Sequence, residues 1–249
     1  MLSAKSWRAD AVARLFLGVL GTYGMGLCAA SFAFQGNWAD EQSRRFAAMM
    51  IEVMCFQGAS LMWVHLFLRE HGVTWNEAFG FTSEHQGRVV GLGLLAGVGV
   101  LPIAWALQQL SIYLIERLQG TPVPQMLVDQ LQKGGMSTCE KVVMAVMTLT
   151  LAPVAEEVLF RGVLYPAIKQ LVRPRLAFWG TAILFGLVHF NLMTFLPLVF
   201  FAVILSSLYE VTGNLVAPIL AHSCFNAVNF AMLIFAKDLQ EAFPRVFAP

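Results

Sequence analysis

The chain is predicted to be all-α, a polytopic membrane bundle of about seven helices within a range of six to eight. Two observations carry this. Hydrophobic residues make up 58% of the 249 positions and charged residues only 12%, with a mean hydropathy of +0.68, a balance foreign to a soluble domain of this size. The apolar residues are also gathered into blocks long enough to cross a ~30 Å hydrocarbon core as helices. A net charge of +1 and the lack of any Lys/Arg-rich run set aside a nucleic-acid partner. The partner that the composition does imply is the lipid bilayer.

Each block then justifies a helix. The first, Ala11 to Phe34, follows Lys5, Arg8 and Arg14 and superficially resembles a signal peptide. It is too long for an h-region, and Leu27 before Cys28 suits no cleavage site, so it reads as an uncleaved first span. Phe46 to Leu68 forms the second and carries Glu52 near Gln57, either a packing contact or an accessory to a cavity. In the third, Val89 to Ile115, Gly93 and Gly97 make a small-xxx-small pair for close helix approach; no strand precedes them, so a phosphate loop is not expected. The connection from Glu116 to Lys141 contains TPVPQMLVDQLQ, which reads as an interfacial helix. Val142 to Val172 is the fourth span, Leu215 to Ala236 the seventh. Between them Leu176 to Phe190 and Phe195 to Tyr209, about 15 residues each, are split by Asn191 and Pro197 and read as short or tilted spans.

Lys and Arg are divided almost evenly between the two sides. The N-terminal trio with Lys169, Arg173 and Arg175 favours a cytoplasmic N-terminus. Cys28, Cys55, Cys139 and Cys224 form no C-x-x-C pair and are expected to be small buried hydrophobes. No internal repeat is evident.

Function in such a bundle is read from polar residues at membrane depth, because each charge there costs at least ~2.5 to 3.5 kcal/mol even on lenient insertion scales. The fourth span has Glu156, Glu157 and Arg161; the fifth has His189; the seventh has His222 and Asn226. Glu157 and Arg161 are four apart and share a helix face, whereas Glu156 is rotated about 100° from its neighbour. Arg161 is therefore expected to neutralise Glu157 as a structural ion pair, leaving Glu156 to point elsewhere. Phe185 and His189, and His222 and Asn226, repeat the four-residue spacing. Buried against one another around a small wet cavity, these faces bring a carboxylate, two imidazoles and an amide together, a set suited to activating water and stabilising an oxyanion. Taken singly, each histidine is more often a packed core residue, and Asn226 alone reads as interhelical glue. His65, His71 and His85 receive no role, and Asn229 competes with Asn226 on position alone.

The pattern Glu156-Glu157-x-x-x-Arg161, Phe185-x-x-x-His189, His222-x-x-x-Asn226 resembles the CPBP family of intramembrane proteases, which includes CAAX-type prenyl endopeptidases and bacteriocin-processing proteins. The resemblance covers about the last 110 residues, from Val142 onwards. It implies a glutamate-dependent endopeptidase of a membrane-embedded or membrane-bound peptide or protein, with no cofactor and no metal, in an integral protein of a bacterial inner membrane. By that resemblance Glu156 and His189 activate water, His222 and Asn226 form the oxyanion hole, and Glu157, Arg161 and Phe185 support them. Residues 1–141 are then scaffold and substrate-access helices, and residues 142–249 the catalytic core, of one integral membrane domain.

Three alternatives stay open at this level. Glu156, His189 and His222 also suit a three-ligand zinc site, although no H-E-x-x-H helix is present. The same groups suit a proton-coupled transporter, for which Pro102, Pro153 and Pro218 are candidate helix breaks. A non-catalytic relative that binds a peptide is the third. The terminal AFPRVFAP carries no C-a-a-X signal, so the chain is not expected to be prenylated itself.

Overall fold

The computed structural model describes residues 7–33, 41–81, 85–125, 128–129, 131 and 136–235. Helix α1 is Ala9–Ala33, α2 Glu41–Glu70, α3 Trp75–Phe79, α4 Gln86–Arg117 and α5 Thr138–Leu171. Then come α6 Pro174–Leu187, α7 Leu192–Thr212 and α8 Val216–Ile234. Among the described residues six of these, α1, α2, α4, α5, α7 and α8, are long and apolar enough to cross a membrane. In the hydrocarbon core only helices and closed barrels satisfy every backbone group.

Two spans differ from the expectation. Fourteen residues of α6 rise only about 21 Å at 1.5 Å per residue, short of a full crossing, whereas α7 runs for 21 residues with Pro197 inside it. Pro197 is tolerated because it lies in the second turn after the Asn191 cap, where its missing N–H forfeits a single ladder bond. Of the three prolines that could interrupt a span, Pro102 follows a one-residue interruption of α4 at Val100, and Pro153 and Pro218 each stand in the first turn of a helical stretch. In the stretch 121–132 expected as an interfacial helix, residues 121–125 are non-helical, with Pro122 and Pro124 lacking N–H donors. Residues 126–127, 130 and 132 of it lie outside the described residues, as do Lys5 and the terminal AFPRVFAP.

The bundle is centred on α5, which is α-helical at both ends but takes wider π turns over Met147–Leu151 and Val158–Leu164, on either side of Glu156 and Glu157. Such π segments frequently sit at functional sites. The largest apolar cluster joins both halves of the chain: Trp7, Leu15, Val19, Val64, Phe67 and Phe79 pack with Val158, Val163, Phe185, Tyr209 and Leu215. Gly93 and Gly97 of α4 lie directly on α8, where an added Cβ would come within 2.7 Å of the Ala217 carbonyl and 2.6 Å of the Ala221 carbonyl. The small-xxx-small pair thus sets how closely α8 approaches.

All four cysteines are free and none is fully buried; Cys28 and Cys139 are exposed on the bundle's outside. The expectation of burial fails because lipid is as apolar as a protein core and solvates such residues equally well.

Candidate active site

Glu157 is fully buried and Arg161 is 2% exposed. Arg161 Nη1 donates to Glu157 Oε1 at 2.9 Å, and Nη2 donates to the Ala202 carbonyl of α7 at 3.2 Å. The guanidinium also stacks 4.4 Å over the Phe185 ring of α6, a cation–π contact strengthened by desolvation. The expected ion pair therefore exists, but it is not isolated: the same Glu157 Oε1 accepts from His222 Nδ1 at 2.8 Å. A carboxylate only accepts, so this bond places a proton on Nδ1 of His222.

Glu156 turns away from Arg161, as the 100° step predicts. Its Oε2 lies 3.9 Å from His189 Nε2 and 3.9 Å from His222 Nε2. It is buried and has no hydrogen-bond partner among the described residues. Distances of this size across polar atoms are those that one water molecule bridges. The imidazole of His189 is held by its Nδ1, 2.7 Å from the Phe185 carbonyl. A carbonyl accepts only, so Nδ1 carries a proton, and Nε2 is the ring nitrogen that faces Glu156.

That bond also explains where α6 stops. The last four carbonyls of a helix have no partner within it, and the His189 side chain takes up the one at Phe185, closing the helix. Phe190 then adopts φ +47°, a left-handed turn rare for an aromatic residue, and Asn191 caps α7 by accepting from the Thr194 N–H at 3.1 Å. Asn191 Nδ2 donates to the Val123 carbonyl at 2.9 Å, and Gln125 Nε2 donates to Thr194 Oγ1 at 3.1 Å. The connection after α4 is thereby tied to the corner that carries His189.

Phe185 is fully buried at the hub, with its ring 4.9 Å from that of His189, 6.0 Å from that of His222 and 5.1 Å from that of Phe160. Asn226 stands one turn beyond His222 on the same side of α8. Its Nδ2 reaches the Thr148 carbonyl in the first π segment of α5 at 2.9 Å, not Glu156; its second N–H and its Oδ1 are left for other partners. Asn229 is committed elsewhere, accepting from Trp105 Nε1 at 3.0 Å and donating to the Phe225 carbonyl at 2.9 Å, which separates it from Asn226. Glu52 accepts from the Tyr23 hydroxyl at 2.6 Å, a packing contact between α1 and α2.

Three contributors were not foreseen: the Thr148 and Ala202 carbonyls, and Phe201, whose ring meets His222 edge-on at 5.4 Å. Backbone carbonyls carry no residue signature, and one phenylalanine in a wholly apolar span has nothing to distinguish it. Among the described residues no three His, Cys, Asp or Glu side chains gather as metal ligands. A cavity of about 230 Å³ between His85, Arg88, Val89, Val211 and Thr212 lies at the far end of α7 from His189 and shares no residue with the cluster.

Residues 138–228 match the family model of Type II CAAX prenyl endopeptidase Rce1-like proteins. No curated protein and no solved structure matches the chain. The matched stretch holds the whole constellation, from Glu156 through His189 to Asn226, and ends one residue before Asn229. Over these residues the chain is similar to the CAAX-type prenyl endopeptidases, in line with the resemblance carried by its Glu-Glu-x-x-x-Arg, Phe-x-x-x-His and His-x-x-x-Asn motifs.

Proposed function

We propose that the protein is a glutamate-dependent intramembrane endopeptidase acting on a membrane-associated peptide or protein. The observation that carries this reading is the placement of Glu156 Oε2 at 3.9 Å from the Nε2 atoms of both His189 and His222. A water held between Glu156 and His189 gives up a proton to Glu156 as its oxygen attacks the scissile carbonyl carbon. The tetrahedral oxyanion is met by His222 and by the free N–H of Asn226. His222 donates from Nε2 when both of its nitrogens carry protons, and the Glu157 carboxylate at Nδ1 balances that charge. Collapse of the intermediate breaks the C–N bond, and the proton held by Glu156 passes to the leaving amine. No covalent enzyme intermediate forms. In this reading the helices up to residue 141 are scaffold and substrate access, residues 142–249 are the catalytic core, and the N-terminus is cytoplasmic in a bacterial inner membrane.

The test is mass-spectrometric detection of cleavage by purified protein in detergent or lipid, with wild type beside Glu156→Gln and each with and without chelator. Cleavage that requires Glu156 and survives chelation supports the reading. Chelator-sensitive cleavage moves the assignment to zinc, and absence of any Glu156-dependent product across a broad peptide library sinks it.

A further inference from the structure

Met54–Gly58 of α2 is a π-helical segment, outside the family match and in the N-terminal half. It packs against the stretch of α5 that carries Glu156, Ala152–Glu157, as does the remainder of α2, Ala59–Glu70. Gln57 lies on the inward face of α2. At helical spacing before it Val53 packs into the cluster of Met49 and Met144, and after it Ser60 and Val64 are fully buried. Gln57 Oε1 is buried with no hydrogen-bond partner among the described residues. It shares that condition with Glu156 Oε2 and Glu157 Oε2, and the other two such atoms belong to Gln42 and His71 near the ends of α2. A buried amide oxygen without a donor is costly in water-soluble proteins and more so at membrane depth, so packing alone gives no reason to keep a glutamine here.

A peptide bond presented to Glu156 has to leave its helix, and in hydrocarbon the N–H and C=O groups this frees need partners. His222 and Asn226 are donors and serve the scissile C=O. Beyond Asn226 Oδ1 they supply no acceptor for the substrate N–H groups that unwinding frees. Resting on the endopeptidase reading, we infer that Gln57 is a substrate-binding residue whose carboxamide accepts a backbone N–H of the unwound substrate beside the scissile bond. Substrates are thereby recognised in part through their main chain by the N-terminal half of the protein.

The test uses the full-length protein and a peptide that wild type cleaves in a Glu156-dependent manner. Beside it runs a series of analogues in which one non-scissile backbone N–H at a time is replaced by an ester oxygen. Gln57→Met, similar in length and unbranched, is expected to keep or raise Tm, because it removes an unsatisfied polar atom. It is expected to lower kcat/KM roughly tenfold. Wild type should lose a similar factor at one ester position, and Gln57→Met should lose nothing further there. Equal activity of Gln57→Met and wild type, or the same ester loss in both, overturns the inference, as does a wild-type ester series with no sensitive position, which needs no variant to fold. A fall in Tm together with activity, without coupling to any ester position, assigns Gln57 to packing. If wild type shows no Glu156-dependent cleavage, the endopeptidase reading fails first and this inference with it.

Discussion

Arg161 makes three contacts at once: the Glu157 carboxylate, the Ala202 carbonyl and the face of Phe185. Removing one member of a buried pair leaves an uncompensated charge, a loss of about 3 to 5 kcal/mol. Arg161→Ala is accordingly expected to lower thermal stability in detergent sharply, and because Glu157 also holds His222, residual activity should fall further than the folded fraction does. Thermal unfolding measured beside specific activity separates the two losses. Asn226→Ala is expected to cost about 10²- to 10³-fold in kcat, the scale of losing one oxyanion donor. Asn229→Ala, which loses the hydrogen bonds to Trp105 and Phe225, is the matched control. Equal losses for the two would place Asn226 among the helix-packing residues.

At the scale of single helices, the geometry of the cluster depends on how closely α8 lies on α4. Gly97 faces the Ala221 carbonyl, one residue before His222. A larger side chain there displaces backbone, because the obstructing atom is a carbonyl oxygen and not the end of a flexible side chain. Gly97→Leu is expected to reduce both thermal stability and Glu156-dependent cleavage, whereas Gly99→Leu, with open space where its Cβ would stand, should leave cleavage near wild type. Comparing the two variants in one cleavage assay decides the point. Helix ends follow recognisable local chemistry. Ser137 and Glu140 form a capping box that opens α5, and Thr74 and Glu77 do the same for α3; both S/T-x-x-E strings stand in the sequence. The end of α6 has no such signature, since it is closed by the side chain of His189 itself.

For the whole molecule, the apolar core runs from Trp7 and Leu15 through Phe79 to Phe185 and Leu215, so the core of the segment matched by the family model is completed by residues of the N-terminal half. Residues 138–249 expressed alone are expected to give no monodisperse protein in detergent, and size-exclusion chromatography checks this. Co-expression of residues 1–137 with that fragment is the arm in which recovery is expected, because the interface between the halves is continuous apolar packing.

By itself the sequence determined the class of the molecule and the identity of its polar residues. Long apolar blocks admit only helices in hydrocarbon, and so few polar groups survive there that Glu156, Glu157, Arg161, His189 and His222 stand out, with Asn226 left beside Asn229 on position alone. Spacing along one helix also settled the local pair, since Glu157 and Arg161 meet wherever that helix packs. Which groups meet across helices was decided only by tertiary structure. That Glu157 serves His222 as well as Arg161, that Asn226 rests on the Thr148 carbonyl while Asn229 goes to Trp105, that α6 falls short while α7 spans, and that Gln57 Oε1 is buried beside the helix of Glu156 all depend on the rotation and depth of one helix against another. Lipid and protein interior are equally apolar to a side chain, so hydropathy leaves that rotation undetermined; glycine contacts, π turns and hydrogen bonds to backbone carbonyls fix it instead.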